Sequence, residues 1–245
     1  MLCCTPSYAL HLAEVATKDK IRFSDASIRC IIVAGEPGGS IPGTKARIEQ
    51  AWGARLFDHT GAKEIGAHGF TCIAQSGVHL NEGEFLVEVI DPQTLEPADE
   101  GELVLTNLGR TGSPVIRYRT GDHVRLDRSV CDCGRTFVRM EGGILGRLDR
   151  MLIVRGVNIF PSAIEAIVRS YPQVQEFAIE VYTAEAMDQL DIKVEVVDEN
   201  PQAVVETLTR DAAHRLGLRI GVTLVPVESL PRFELKAQRV VDRRR

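Results

Sequence analysis

The sequence predicts an α/β fold followed by a smaller α+β unit, and three patterns carry that expectation. A helical spacing of apolar residues runs into an uninterrupted apolar segment, as in a buried sheet with covering helices. From Glu84 onward, short segments separated by turn residues read as antiparallel strands. After Gly142-Gly143 strands and helices alternate again, over enough chain for a second domain.

In chain order, residues 7–17 form a helix with Leu10, Ala13, Val15 and Ala16 as its apolar positions, and 28–33 a buried strand. Ala34 to Gly39 is the loop at that strand's carboxyl end, a usual ligand position in open α/β sheets. Pro42 opens the next helix, through Trp52, which belongs to the core. Residues 56–59 make a short strand leading into a Gly-rich turn. Residues 85–90 and 102–105 are strands around the turn Asp91-Pro92-Gln93-Thr94, in a small β-rich subdomain. Beyond it, strands are expected at 151–154, 177–182, 190–197 and 222–227, and helices at 161–170 and 202–216. The boundary falls at 148/149, giving domains 1–148 and 149–245.

Composition excludes several classes. The 245 residues are 44% hydrophobic and 26% charged, enough to bury a core, and a net charge of -5 gives no field for collecting nucleic acid. No apolar run reaches the roughly 18 residues of a membrane span, and Met1 to Pro6 lacks the basic stretch of a secretory signal, so a cytoplasmic protein is expected. Arg243, Arg244 and Arg245 read as a solvated tail. Six cysteines in so long a chain do not make a disulfide scaffold. Cys3, Cys4 and Cys30 sit in apolar surroundings and read as small hydrophobes.

Gly39-Ser40-Ile41-Pro42-Gly43-Thr44-Lys45 approaches a phosphate-binding P-loop but fails in detail. Thr44 and Lys45 stand in reversed order and Pro42 stiffens the loop. Tyr118-Arg119-Thr120-Gly121-Asp122 reads as a strand ending in a turn that projects a carboxylate, suited to ribose hydroxyls or simply a turn Asp. Gly146-Arg147-Leu148-Asp149 precedes a strand, and Arg155-Gly156-Val157-Asn158-Ile159-Phe160-Pro161 leads into a helix whose first turns hold Glu165.

Together with Gly35-Glu36-Pro37, the 61–64 turn and the 231–236 segment, these motifs stand in the order seen in adenylate-forming enzymes. The 155–161 segment resembles the phenylacetate-CoA ligase branch in particular. The resemblance covers essentially the whole chain. It implies the C-terminal part of such an enzyme: a partial large α/β domain, the β-rich subdomain, and an α+β lid. It also implies an ATP-dependent reaction of a carboxylic acid, of the aryl or arylacetic class such as phenylacetate, giving an acyl-adenylate and then a CoA thioester.

By position, Gly35, Glu36 and Pro37 line the adenine pocket, and Asp58, His59 and Thr60 pass along the nucleotide. Glu64 is a Mg2+ ligand, Asp122 holds the ribose hydroxyls, Arg147 sits beside the nucleotide, and Asp149 is the hinge of the lid. Lys236 is the lid lysine of adenylation, where a fixed cation in a closed site meets charge on the phosphates. The sequence departs from the pattern at Thr60, usually aromatic, and at Lys63, usually a hydroxyl residue. It also lacks the family's N-terminal Ser/Thr/Gly-rich loop that cradles ATP phosphates, so it reads as starting partway through the large domain. A remnant or half-enzyme that binds AMP or ATP without chemistry of its own remains the rival. A partner chain supplying that loop, or a homodimer covering the cut face, is the expected assembly.

Cys72, His79, Cys131 and Cys133 supply three thiolates and an imidazole, a closed set for structural Zn2+, with buried free thiols as the alternative. Gly134 frees the backbone to wrap the metal. His59 is placed for substrate contact; His11, His68, His123 and His214 read as surface or satisfied core residues.

Overall fold

The computed structural model describes residues 1–184, 187–233 and 236–244. The chain opens with β1 (Leu2–Cys4), α1 (Pro6–Lys18), β2 (Cys30–Val33), α2 (Pro42–Trp52) and β3 (Arg55–Ala62). Both helices begin on proline, whose fixed φ suits a first turn. Thr5 caps α1 by accepting the Tyr8 N–H, and Gly53 at φ +60° ends α2. β1, β2 and β3 pair in parallel, and Ile31, Val33 and Leu56 meet Ala9, Ile48 and Trp52 in one core. The Trp52 ring stacks on Phe23 with centroids 3.7 Å apart, and its Nε1 donates to the Ala9 carbonyl at 3.0 Å.

The sheet continues through β4 (Gly66–Thr71), β5 (Val78–Leu80), β6 (Phe85–Ile90), β7 (Glu100–Asn107), β8 (Tyr118–Asp127), β9 (Arg139–Met140) and β10 (Gly146–Arg147). Its order is β1-β2-β3-β4-β5-β9-β8-β7-β6, with β10 on β8. The β-rich segment, expected as a subdomain of its own, is therefore an extension of the first sheet. β3 is long enough to pair in parallel with β2 up to Asp58 and antiparallel with β4 from His59 onward. The segment still keeps a separate core, built around Leu80, Leu103, Leu105, Val124 and Met140.

The tail begins with a hairpin of β11 (Leu152–Val154) and β12 (Val157–Ile159), turned by Arg155 and Gly156 at φ +50° and +79°. α3 (Pro161–Arg169) follows, then β13 (Val174–Ala184), β14 (Met187–Val196), α4 (Pro201–Leu216), β15 (Gly221–Val225) and β16 (Val240–Asp242). The second sheet runs β15-β14-β13-β16. Ile164, Ile167 and Val168 of α3, with Val205, Leu208 and Ala212 of α4, cover Phe177, Ile179, Ile192 and Val194.

The two units touch closely. A Cβ on Gly43 of α2 would lie 2.0 Å from the Arg169 carbonyl oxygen at the end of α3. Arg47 donates to the Val174 carbonyl at 2.8 Å, and Arg232 pairs with Glu14 of α1 at 3.1 Å and with Glu195 at 2.7 Å. The expected basic tail is not simply solvated. Arg243 pairs with Glu180 at 2.7 Å and Arg244 with Asp188 at 3.0 Å, because β16 carries them along the sheet edge; Arg245 lies outside the described residues. Cys3, on the edge strand β1, is exposed and Cys4 and Cys30 are half-buried, so they are not fully packed hydrophobes. No helix among the described residues is long and apolar enough to cross a membrane.

Candidate functional site

A cavity of about 480 Å3 opens between the units, walled by the loop after β2, by Gly146 and Arg147, and by residues 236–240. Gly35 takes φ +94° there, and a Cβ on it would stand 3.6 Å from Lys236 Cε, so the lysine stem runs over a residue with no side chain. The Glu36 carboxylate accepts the Ser7 N–H on one oxygen and the Ala237 N–H on the other, each at 2.7 Å. Lys236 therefore lies beside Gly35, Glu36 and Pro37, although Glu234 and Leu235 of its motif lie outside the described residues.

Arg147 joins Asp122 to Asp149. Its guanidinium donates to Asp122 at 3.2 Å and to both Asp149 oxygens at 2.9 and 3.0 Å. Burial raises the Asp122 pKa, opposed by Arg147, whereas the Arg147 hydrogen bonds hold the exposed Asp149 carboxyl below its ordinary value. Asp122 does not end a strand as expected. It sits within β8, where Gly121 at φ +74° and a register shift against β7 let the chain continue past the guanidinium.

β3 divides the residues expected along the nucleotide. Strand alternation puts Asp58 and Thr60 on the buried face and His59 on the other. Ser40 donates to Asp58 at 2.5 Å, yet burial pushes the Asp58 pKa up to about 6. Burial lowers the His59 pKa, and the Thr60 hydroxyl has no partner among the described residues. Glu64 is exposed in the turn before β4, its carbonyl held by Arg110. Asp58, His59, Thr60 and Glu64 thus stand apart from the cavity wall that carries Lys236.

Sequence reasoning missed a buried ionic cluster behind that wall. Arg239 donates to Glu176 at 2.8 and 3.1 Å and to the Ser7 hydroxyl at 3.3 Å, while Arg169 reaches Glu176 at 3.3 Å. Both guanidiniums lie 5.1 Å from the Phe177 ring centroid, one of the few settings in which buried arginines are well accommodated. Burial raises the pKa of neighbouring Glu165. The only signal in the sequence was the i,i+4 spacing of Glu165 and Arg169.

A third group lies at the junction of β4, β5 and β9. The ligand atoms of Cys72, His79, Cys131 and Cys133 all fall within 4.8 Å of one another. Cys72 Sγ is 3.6 Å from Cys131 Sγ, and Cys133 Sγ is 3.5 Å from His79 Nε2. His79 Nδ1 lies 3.0 Å from the Phe137 carbonyl, so Nδ1 carries the proton and Nε2 faces the thiols as a lone pair. Ser76 and the Cys133 N–H favour the Cys131 thiolate, whereas burial raises the Cys72 thiol.

The fold and residues 156–244 define a class, since that span matches the family model described as AMP-binding enzyme C-terminal domain. Over its whole length the chain is 35% identical to the phenylacetate-coenzyme A ligase of Thermus thermophilus, covering 60% of that protein. It is 32% identical to the Escherichia coli phenylacetate-coenzyme A ligase, covering 58%. Over its whole length the chain resembles the phenylacetate-CoA ligases among adenylate-forming enzymes, and it spans about 60% of the length of the curated relatives it matches.

Among solved structures, 2-hydroxyisobutyryl-CoA ligase in its postadenylation state with R3-HIB-AMP superposes with a TM-score of 0.88. The identity is 36%, over 98% of this chain and 54% of that one. The same ligase with 2-HIB-AMP and CoA in the thioesterification state gives a TM-score of 0.59 at 36% identity, over 99% of this chain and 54% of that one. The two units here are thus disposed as in the first of those states. The anthranilate CoA ligase AuaEII, 17% identical with a TM-score of 0.67 over 96% of this chain and 47% of that one, shares the fold.

Proposed function

We propose that the chain serves an ATP-dependent acid-CoA ligase acting on an aryl or arylacetic acid such as phenylacetate. The observation that carries this reading is the Lys236 side chain lying over Gly35 in a cavity shared with Arg147. A cation so held meets the charge that develops when a carboxylate attacks the α-phosphate of ATP and pyrophosphate departs. Thioester formation follows when the CoA thiol attacks the acyl-adenylate and AMP leaves. Asp122 is proposed to take the ribose hydroxyls, with Arg147 fixing its carboxylate, and Gly35, Glu36 and Pro37 to border the adenine. Asp58, His59 and Thr60 are proposed to follow the nucleotide, and Glu64, exposed at its turn, to ligate Mg2+.

The domain division at 148/149 fits a short helical turn at Leu148–Arg150, and Asp149, free of contacts other than Arg147 among its side-chain hydrogen bonds in the described residues, is the proposed hinge. The Cys72, His79, Cys131 and Cys133 cluster is proposed to hold a structural Zn2+, which the thiol-rich donor set and the oriented imidazole both favour.

The test is ATP-pyrophosphate exchange with a panel of aryl and arylacetic acids. Lys236→Ala should lower exchange by about 10²–10³-fold while sparing thioester formation from preformed adenylate. Equal loss in both half-reactions refutes the lysine's role. AMP binding without exchange in the unaltered chain would favour a nucleotide-binding half-enzyme instead.

A further inference from the structure

Glu36 does more than border a pocket. Its two carboxylate oxygens are divided between the units: one takes the N–H of Ser7, second residue of α1, and the other the N–H of Ala237, next to Lys236. The first N–H groups of a helix are free of intrahelical partners, so the Ser7 N–H at the start of α1 is available to the Glu36 carboxylate. Two residues on, Arg239 donates to the Ser7 hydroxyl and pairs with Glu176, so the segment is stitched to the start of α1 twice. Gly35 leaves room beneath the lysine stem that this arrangement delivers.

We propose that Glu36 is a positioning residue, a latch whose carboxylate clasps the Lys236 segment to α1 and so sets the lysine for the first half-reaction only. The inference rests on the ligase reading for its catalytic meaning, but the clasp itself can be judged without activity. It belongs to one disposition of the units, the one similar to a postadenylation state; a lid turned as in thioester formation carries Ala237 away.

The experiment compares the unaltered chain with Glu36→Gln by amide hydrogen exchange and by the distance between spin-labelled amino acids at exposed Gln50 and Glu206. A glutamine offers one acceptor and turns an NH2 group toward the second N–H, so one clasp fails. Ala237 exchange should accelerate at least about tenfold, the loss of one charge-assisted bond, and the distance should broaden. Unchanged exchange and distance overturn the latch. If Glu36→Gln does not fold, Glu36→Asp, which keeps the charge but is too short to reach both units, is read the same way.

Kinetics then separates the two ideas. In an active protein the variant should lose pyrophosphate exchange about tenfold and keep thioester formation from preformed adenylate; equal loss in both overturns the latch. A wild-type chain that forms no adenylate refutes the ligase reading, and the latch is then decided by exchange and distance alone.

Discussion

Two buried side chains titrate with opposite consequences for stability. His68 is 1% exposed, stacks edge-on to Phe85, and has no hydrogen-bond partner on either ring nitrogen among the described residues, which corrects its reading as a surface or satisfied group. Burial pushes its pKa down to about 4 from 6.5. Its stability contribution is complete above pH 6.5 and lost as pH falls toward 4, about 3 kcal/mol in all. Asp58 runs the other way: raised from 3.8 to about 6, it favours the fold below pH 3.8 and costs about 3 kcal/mol once ionised above 6. Between pH 4 and 6 the two largely cancel. Denaturant unfolding at pH 4.5 and 6.5 should show Asp58→Asn gaining stability with rising pH and His68→Gln losing it. Parallel curves for both variants would discount the burial of both groups. These roles were not legible, because a lone His or Asp carries no sign of which strand face it takes. The cysteine and histidine cluster was legible, since thiols have few other uses in a long chain.

Among elements, α2 and β6 were read to the residue, because Pro42 and Trp52 bound one pattern and Asp91-Pro92 closes the other. β8 was mistaken for a strand end: Gly121 looks like a turn, and only the pairing with β7 and β10 reveals a ten-residue strand bulged at that glycine. β4, β5 and β9 were missed, being short and held by neighbours rather than by an alternating pattern. The packing of α2 on α3 yields a sharp expectation. Gly43→Ala would drive a methyl into the Arg169 carbonyl, so the helices must part. A loss of about 1–3 kcal/mol in thermal or denaturant unfolding is expected, together with a broadened Gln50 to Glu206 distance. An alanine variant as stable as the parent, with the same distance, would mean that the contact of α2 with α3 has room for the methyl group.

At the scale of the molecule, the sequence did not disclose that one sheet joins the α/β layer to the β-rich segment. That continuity depends on β3 changing partners halfway along its length. The ligands of the proposed zinc tie β4 and β5 to the loop before β9, so its loss should be felt by the whole sheet. Elemental analysis should find about one zinc per chain, and Cys133→Ser should lower both metal content and melting temperature. An unaltered pair of values would refute the zinc site and leave the three thiols and the imidazole metal-free.

Cys72 and Cys131 are 59 residues apart in the chain, and the strands between them must find their neighbours before the four side chains meet. A ribosome adds about 5–20 residues per second, so Cys72 waits roughly 3–12 s for its partners to be made. During that interval the nascent chain carries Cys72 as an unpaired thiol, and even when Cys133 has been made the first sheet still waits for β9 and β10.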